Sequence, residues 1–496
     1  MVRAMVAAGL RPVYRWALRG LLAPDWYRER YPDVAAAGVD PVEHYLRHGM
    51  AEGREISPDF SVSGYARYHG RPNWKGARAA LHYRLLGRRR GANRLPAWEG
   101  GQVRRPGPTL LVCGHLAGPC LFGAERSLLD VLWALDRLGF NLVATLPSAD
   151  NAGYLEQVRQ YCAVVHVLPY AWWHARRQHC SATQQNFEGL IQRYDVAAVY
   201  LNTLVLEEPA RAARAQQIPV LTHVREIPGD DPALCEALGA TAEVVTARAV
   251  AQADRLIANS HCVAKALRSA IGPVARHHGV AAAPDVVVVP NGIDVARWQC
   301  VPVPSPTRGR LRIGMVSSNL AKKGLADFAQ LARRLAVIAP AVECLLFGPR
   351  TAEVDALEQR VAEGALPVSL RYCGYREDPR QALAVLDVVV NLSRFQESFG
   401  RSVLEALAGG RPVVCYSRGA LPELVKDQVT GFTVPFGDVN AVAEHIAGFA
   451  ASPERISEMG GVAKVDIASR FDTSVFMEKL AVAFEGLVDT PGFGRK

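Results

Sequence analysis

From about residue 109 onward, short β-rich runs alternate with longer helical stretches, and the alternation stops once and restarts. TLLVCG (109–114), NLVATLP (141–147), AVVHVLP (163–169), VAAVYLN (196–202), IPVLTHV (218–224), RLIANS (255–260) and DVVVVPN (285–291) form the first series. LRIGMVS (311–317), ECLLFG (343–348), VSLRYCG (368–374), VVVNLS (388–393), RPVVCY (411–416) and TGFTVP (430–435) form the second. Continuous apolar strands separated by helices demand a parallel sheet covered on both faces. Between the first two runs, Leu128, Leu132, Leu135 and Leu138 set one apolar stripe at helical period. The segment QCVPVPSPTRG (299–309), with three prolines, reads as a stiff linker between the series. The expected division is an accessory region over 1–105, a Rossmann-like domain over 106–298, the linker 299–309, a second Rossmann-like domain over 310–470, and a C-terminal helix in 471–496 that packs back on the first domain. Open α/β sheets bind ligands at the carboxyl ends of their strands, so two such domains facing each other make a cleft for two substrates.

Composition narrows the class. In 496 residues the apolar fraction is 49% and the charged fraction 21%, ordinary globular values that exclude a disordered chain, a coiled coil and a collagen. No run approaches the ~20 apolar residues of a membrane helix. The ten cysteines stand singly with no CxxC pair, which argues for reduced thiols in a cytosol. The net charge of +9 is uneven: residues 1–105 carry 19 basic and 9 acidic side chains, and the rest of the chain nearly balances. A basic segment suits nucleic acid, acidic lipid headgroups or an anionic polymer, and an arginine-rich solvated surface gives the same arithmetic. No nucleic-acid module is recognisable, so nucleic acid is not an expected partner.

Within that basic region the chain resembles itself at a shift of 38 residues: Tyr27 aligns with Tyr65, Gly38 with Gly76, His44-Tyr45 with His82-Tyr83, Gly49 with Gly87, Gly53 with Gly91 and Pro58 with Pro96. Two copies of a small helical unit are expected. His44 and His82 read as packed or capping histidines, because no second metal ligand stands at suitable spacing. Ahead of them, Arg11, Arg15 and Arg19 share one face of a short helix and Leu10, Val13, Ala17 and Leu21 suggest another, a pattern that fits either an interfacial helix or one packed on the next unit.

The chemistry concentrates in ESFGRSVLEALAGGRPVV (397–414). A loop carrying Glu397 follows a strand, and a helix starts near Gly400, whose bare Cα lets backbone approach a ligand. The free N–H groups of that helix start suit a phosphate. Glu405 lies about 7–8 Å further along the helix axis. The two carboxylates can accept hydrogen bonds from hydroxyls on either side of a phosphate, although acids near a helix start are favoured on helix-dipole grounds alone.

Set in the order GAERSLLDVLWAL, ADRLIANS, VVPNGID, KKGLADF, ESFGRSVLEALAGGRPVV and LPELVKDQVTGFTVPFGD, these segments resemble the retaining nucleotide-sugar glycosyltransferases of the GT-B fold, family 4, from about residue 109 to 480. The first repeat copy, DWYRERYPDVAAAGVDPVEHYLRHGMAEGREISP, is similar to a repeat often attached to bacterial glycosyltransferases. The resemblance implies a GT-B fold and transfer of a sugar from a nucleoside diphosphate donor to a hydroxyl, with retention of configuration. It implies that Glu397 contacts the donor sugar and Glu405 the ribose. The backbone at Ser398, Phe399 and Gly400 would touch sugar and phosphate, and Lys323, assisted by Lys322, would neutralise the pyrophosphate. A cation there answers the charge that the leaving group gains. The family usually places an arginine five residues before that lysine; here the position is Ser318, followed by Asn319, so the clamp falls to Lys323 alone or to Arg401. Gly123 resembles one of the two glycines common in the family's acceptor loop, with His115 in the same loop, and His223, Arg225 and Glu226 end a strand where relatives position a sugar, although His223 reads more readily as a satisfied core histidine. No Asp-x-Asp ends a strand and Asp230-Asp231 lies in a loop, so neither a metal nor a further cofactor is expected. The implied acceptor is a bacterial surface polysaccharide or lipid-linked sugar, with the enzyme cytoplasmic or peripheral on the inner membrane face through residues 1–105. An epimerase or phosphorylase on the same fold, or an inactive sugar-nucleotide-binding scaffold, are the alternatives.

Overall fold

The computed structural model describes residues 10–74, 76–278, 284–302 and 311–488. Residues 303–309 of the proline-containing linker lie outside the described residues, as do the first nine and last eight of the chain.

Fourteen strands form two sheets among the described residues. The first sheet holds β1 (Ala97–Glu99), β2 (Thr109–Cys113), β3 (Asn141–Leu146), β4 (Val164–Val167), β5 (Val196–Leu201), β6 (Val220–Val224), β7 (Arg255–Ala258) and β8 (Asp285–Val288). Their order is β1-β4-β3-β2-β5-β6-β7-β8. The second sheet holds β9 (Leu311–Val316), β10 (Val342–Phe347), β11 (Leu370–Gly374), β12 (Val388–Asn391), β13 (Val413–Tyr416) and β14 (Gly431–Val434), in the order β11-β10-β9-β12-β13-β14. Every pairing is parallel except β1 against β4. In both sheets the strand order reverses beside the first parallel strand, between β2 and β5 and between β9 and β12, the place where doubly wound sheets open a crevice.

Burial follows the sequence pattern. β2 and β3 are buried at every position, as strands covered on both faces must be. The helix Gly123–Arg137 lays Leu128, Leu132, Leu135 and Leu138 into the first core, all at most 3% exposed. The chain's last helix, Thr473–Val482, contributes Phe476, Leu480 and Ala481 to that same core, and Phe484 beyond it packs on Phe140 with ring centroids 5.0 Å apart. The second sheet builds its own two cores.

The helical N-terminal region sits against the β4 side of the first sheet. β1 extends the sheet there in antiparallel register, Ala97 opposite His166. Arg67 donates to the carbonyl of Asp150 at 3.0 Å, Ser63 Oγ accepts from Ala149 N at 3.1 Å, and Asn186 Nδ2 donates to Pro58 O at 3.2 Å. Inside the region, Tyr27 Oη lies 3.2 Å from His44 Nδ1 and Tyr65 Oη lies 2.9 Å from His82 Nδ1. Five-residue π-helical turns follow at Tyr45–Gly49 and Tyr83–Gly87, and the two tyrosine hydroxyls fill the space that a Cβ at Gly49 or Gly87 would need.

The first helix differs from its expected faces. Arg11–Leu18 buries Tyr14, Ala17 and Leu18, whereas Leu10, Val13 and Trp16 are exposed. The reason is packing on Ala77–His82, together with ion pairs from Arg11 and Arg15 to Glu43, which turn the arginine face toward the next unit.

Candidate functional site

The two switch points face each other across a crevice of about 540 Å³. From the first sheet it is lined by Gly123, Arg126 and Arg225, and from the second by Ser318, Lys323, Glu397 and the backbone around Phe399 and Gly400. Lys323 stands in the turn after β9 and Glu397 in the loop after β12, so the strand reversal of the second sheet brings together two residues 74 positions apart.

Lys323 Nζ donates to Glu397 Oε1 at 2.8 Å, and Ser393 Oγ donates to the same oxygen at 2.6 Å. Burial opposes ionisation of Glu397, but Lys323 and the Ser393 hydroxyl outweigh it and hold the carboxyl below the usual carboxylate range. The ammonium also sits 4.6 Å from the centre of the Phe395 ring, which walls it from solvent on one side.

Gly400 precedes the helix Arg401–Ala408 with φ +93°, a conformation that an L side chain rarely takes, and a Cβ there would stand 2.6 Å from Leu421 Cδ2. Val403 N and Leu404 N already bond the Gly400 carbonyl. The amides of Arg401 and Ser402 therefore stand ahead of the first intrahelical bond, at the positive end of the helix and on the crevice wall. Ser398 also lines the crevice, and Asn259 Nδ2 donates to its hydroxyl at 3.3 Å from the first domain.

Several of the expected site residues are engaged by protein partners. Arg401 is committed elsewhere: it donates to Asp130 at 2.5 Å and to Glu405 at 2.9 Å. Burial works against its charge, but the two carboxylates raise its pKa above the ordinary arginine value. In this arrangement its guanidinium is held by those two carboxylates on the crevice wall. Glu405 is 2% exposed and is gripped by Arg126, from the first domain, at 2.6 Å and by Arg401. Its oxygen Oε1 is occupied by arginine donors in this arrangement. Asn319 is fully buried at φ +56° and shapes the turn, donating to Pro349 O at 3.0 Å and receiving Ser317 Oγ at 3.0 Å, so its amide points away from the crevice. Lys322 faces the first domain and pairs with Asp231 at 2.9 Å.

On the first-domain side, Gly123 opens the helix Gly123–Arg137, and Glu125 in its first turn accepts from Phe122 N at 2.9 Å. His115 lies 3.3 Å from Glu125 through Nε2, its buried Nδ1 has no hydrogen-bond partner, and the ring faces a second cavity rather than the crevice. His223 is fully buried against Tyr200 Oη, and burial holds its pKa well below the ordinary histidine value. Glu226 is half-buried, takes the Thr203 hydroxyl, and has its carboxyl pushed up by desolvation. Arg225 is the member of this group that reaches the crevice. Its hydrogen bonds go to neutral acceptors, Asn202 Oδ1 at 3.1 Å and Asn291 Oδ1 at 2.5 Å. Its backbone N–H donates to Glu226 at 2.9 Å, while its guanidinium is held by these neutral acceptors.

The sequence pattern carries no signal for the bonds that close the crevice. Asp230 accepts from Gln396 N and from Arg418 at 2.9 Å, Glu423 accepts from the backbone N–H groups of His261 at 2.9 Å and Cys262 at 2.7 Å, and Tyr375 Oη receives Leu121 N at 3.2 Å. Asp230-Asp231 is thus a bridge between the domains. Partners more than a hundred residues apart, on loops of ordinary composition, become legible only once the sheets are placed.

Comparison with known proteins agrees with this architecture. Residues 123–297 match the family described as Glycosyltransferase Family 4, and residues 310–452 match the family described as Glycosyl transferases group 1. Among solved structures, the crystal structure of Anabaena Alr3699/HepE in complex with UDP and glucose superposes with a TM-score of 0.60 at 22% identity, covering 76% of this chain and 99% of that one. Sucrose-phosphate synthase from Thermosynechococcus elongatus does so at 0.56 and 16% identity, covering 77% of this chain and 99% of that one. The phosphatidyl-myo-inositol mannosyltransferase of Mycolicibacterium smegmatis is 29% identical over 206 residues, 40% of this chain and 52% of that protein. The chain thus spans about half the length of that curated relative. O-antigen chain mannosyltransferase B of Escherichia coli is 39% identical over 104 residues, 21% of this chain and 26% of that protein. Two facing Rossmann-like sheets with the site in the crevice define a GT-B fold. Within that class the chain is related to the family 4 glycosyltransferases.

Proposed function

We propose that this protein is a retaining glycosyltransferase that moves a sugar from a nucleoside diphosphate sugar to a hydroxyl acceptor in the synthesis of a bacterial surface polysaccharide or glycolipid. One observation carries the reading: a paired lysine and carboxylate, Lys323 and Glu397, stand at the switch point of the second sheet beside the positive end of the helix Arg401–Ala408. A diphosphate placed on the amides of Arg401 and Ser402 has its growing charge answered by Lys323 and, across the crevice, by Arg225. Glu397, kept ionised, accepts hydrogen bonds from the sugar hydroxyls and orients the anomeric carbon. Glu405 takes the ribose hydroxyls when its arginines shift onto the donor. These side chains supply the positive charge that a leaving diphosphate requires, so we expect turnover to persist in a chelator. The Anabaena relative's complexes with UDP and with UDP-glucose make uridine the first base to try.

We infer further that residues 1–105 form an accessory region that contains two copies of a 38-residue helical unit. The paired Tyr27–His44 and Tyr65–His82 contacts and the two π-turns support that reading. The module's basic balance suits an acceptor carrying negative charge or an anionic inner leaflet. No helix of the described residues is long and apolar enough to cross a membrane. The test is a thermal-shift screen of nucleotide sugars followed by product analysis with the hit. Stabilisation by one nucleoside diphosphate sugar and its loss in Lys323→Ala are expected, and a protein stabilised by none of them, with no turnover, overturns the reading.

A further inference from the structure

A second cavity, of about 960 Å³, opens at the carboxyl ends of β2, β3 and β4 on the acceptor side of the first sheet. Its floor is the loop after β4, with Tyr170, Trp172 and Trp173, and His115 at the end of β2 stands at its inner edge. Its outer wall does not belong to the GT-B sheets. That wall is made by Arg28, Glu29 and Arg30 of the helix Pro24–Arg30 and by Pro32 and Ala35 of the helix Pro32–Ala37.

The lining has a definite chemistry. Four arginines, Arg28, Arg30, Arg176 and Arg177, meet there against one lining carboxylate, Glu29. Arg28 is paired to the exposed Asp25 at 3.0 Å, and Arg177 donates to the Trp172 carbonyl and lies near the buried Glu208. Arg30 retains a buried Nε with no hydrogen-bond partner among the described residues. Trp172 is 42% exposed, an aromatic face of the kind on which sugar rings stack. The cavity and the crevice have separate linings, joined by one chain of contacts. His115, with its unpartnered Nδ1, touches Glu125, which caps the loop at Phe122 and Gly123 on the crevice wall.

We propose that this cavity is an extended acceptor subsite, in which the accessory region and the loop after β4 hold an anionic saccharide chain whose end enters the crevice past His115. The inference rests on the transfer reading for the direction of the chain. It adds a ligand class, a saccharide bearing carboxylate or phosphate groups, and a role for the helices of residues 24–37.

The experiment uses the full chain and follows tryptophan fluorescence and titration calorimetry. The probes are a tetrasaccharide of alternating glucuronate and N-acetylglucosamine, a phosphorylated maltotetraose, neutral maltotetraose, and phosphatidylglycerol vesicles. At least one charged saccharide is expected to bind ten-fold or more tightly than the neutral one, and whichever it is names the anion. Arg30→Gln and Trp172→Ala are each expected to weaken it at least five-fold, with Arg30→Lys recovering part of the loss and the thermal shift by UDP unchanged in all three. Equal binding of charged and neutral saccharides, binding unaltered by both variants, no saccharide binding, or an Arg30 effect on vesicles alone would each overturn the proposal. Failure of the wild-type chain to bind UDP instead strikes the transfer reading, which the saccharide titration does not depend on.

Discussion

Lys323 Nζ and Glu397 Oε1 lie 2.8 Å apart, and they join the turn after β9 to the loop after β12. Neither is an ordinary surface partner: their side chains are 21% and 11% exposed, and the Ser393 hydroxyl completes the carboxylate's shell. The pair holds each charge where a donor sugar and its phosphate would need it. Lys323→Ala is expected to lower turnover about 10²–10³-fold, the usual cost of removing one donor to a developing anion. Glu397→Gln keeps the shape and is expected to lower turnover with little change in UDP affinity. Steady-state kinetics beside UDP titration separate the two effects. Because the Glu397 pKa is depressed, the ion pair is intact at neutral pH and is lost as pH falls through a value below the ordinary carboxylate range. The acidic limb of the rate profile should therefore lie lower than that of a free glutamate.

The Arg401 cluster should behave differently. Arg401 bonds Asp130 and Glu405, and Arg126 bonds Glu405 from the other domain. Removing Arg401 leaves two carboxylates short of a counter-charge, a loss on the order of 3–5 kcal/mol for a buried network. Arg401→Ala is expected to lower the melting temperature markedly as well as activity, whereas Lys323→Ala lowers activity with little effect on melting. Differential scanning calorimetry of the two variants side by side checks the contrast.

The strands were the most legible part of this chain, because a buried parallel strand needs an unbroken apolar run and nothing else in the sequence supplies one. All thirteen such runs are strands, and only β1 escaped, since Ala97–Glu99 is three residues long and pairs at an edge. The site was half legible. Lys323, Glu397 and Gly400 sit in motifs whose spacing follows from one turn and one helix start, and they line the crevice. Neighbours in sequence point to different places here: the left-handed turn at Asn319 sends its side chain inward, and Lys322 faces Asp231. The roles of Asp230, Asp130 and Arg126 depend on the approach of two sheets, which no local pattern encodes.

That approach is itself testable. Asp230 and Asp231 reach from the first domain to Gln396 on the loop that carries Glu397, to Arg418 after β13 and to Lys322 in the turn after β9. These bonds join the two walls of the crevice. Asp230→Asn together with Asp231→Asn is expected to raise the donor KM roughly tenfold, about 1.4 kcal/mol, while leaving each sheet folded. Hydrogen exchange should then rise in residues 394–400 and at the start of the helix after β7, with the strand cores unchanged. Unaltered KM and exchange would mean that the closed arrangement contributes nothing to donor binding.

The accessory region carries its own pH response. Glu55 is buried and accepts from Val62 N at 2.5 Å and from Ser63 Oγ at 3.0 Å, at the start of the helix Val62–Tyr68. Burial pushes its pKa from the ordinary 4.5 up to about 7, against the pull of those hydrogen bonds. A carboxyl raised in the folded state binds its proton more tightly there than in the unfolded chain. Its contribution is therefore full below about 4.5, falls as pH rises, and levels off above about 7. The span of the loss is at most about 3.5 kcal/mol at ~1.4 kcal/mol per pKa unit. Thermal melts between pH 5 and 8.5 should show an unfolding step of the N-terminal region that moves to lower temperature with rising pH, and Glu55→Gln, which cannot ionise, should flatten that dependence and raise the step at pH 8.5. A melt independent of pH in the wild-type chain, or a Glu55→Gln variant that retains the slope, would assign the response to another group. If the step moves as expected, the wall formed by Arg28 and Arg30 loosens together with it, and saccharide binding in the second cavity should weaken over the same pH interval.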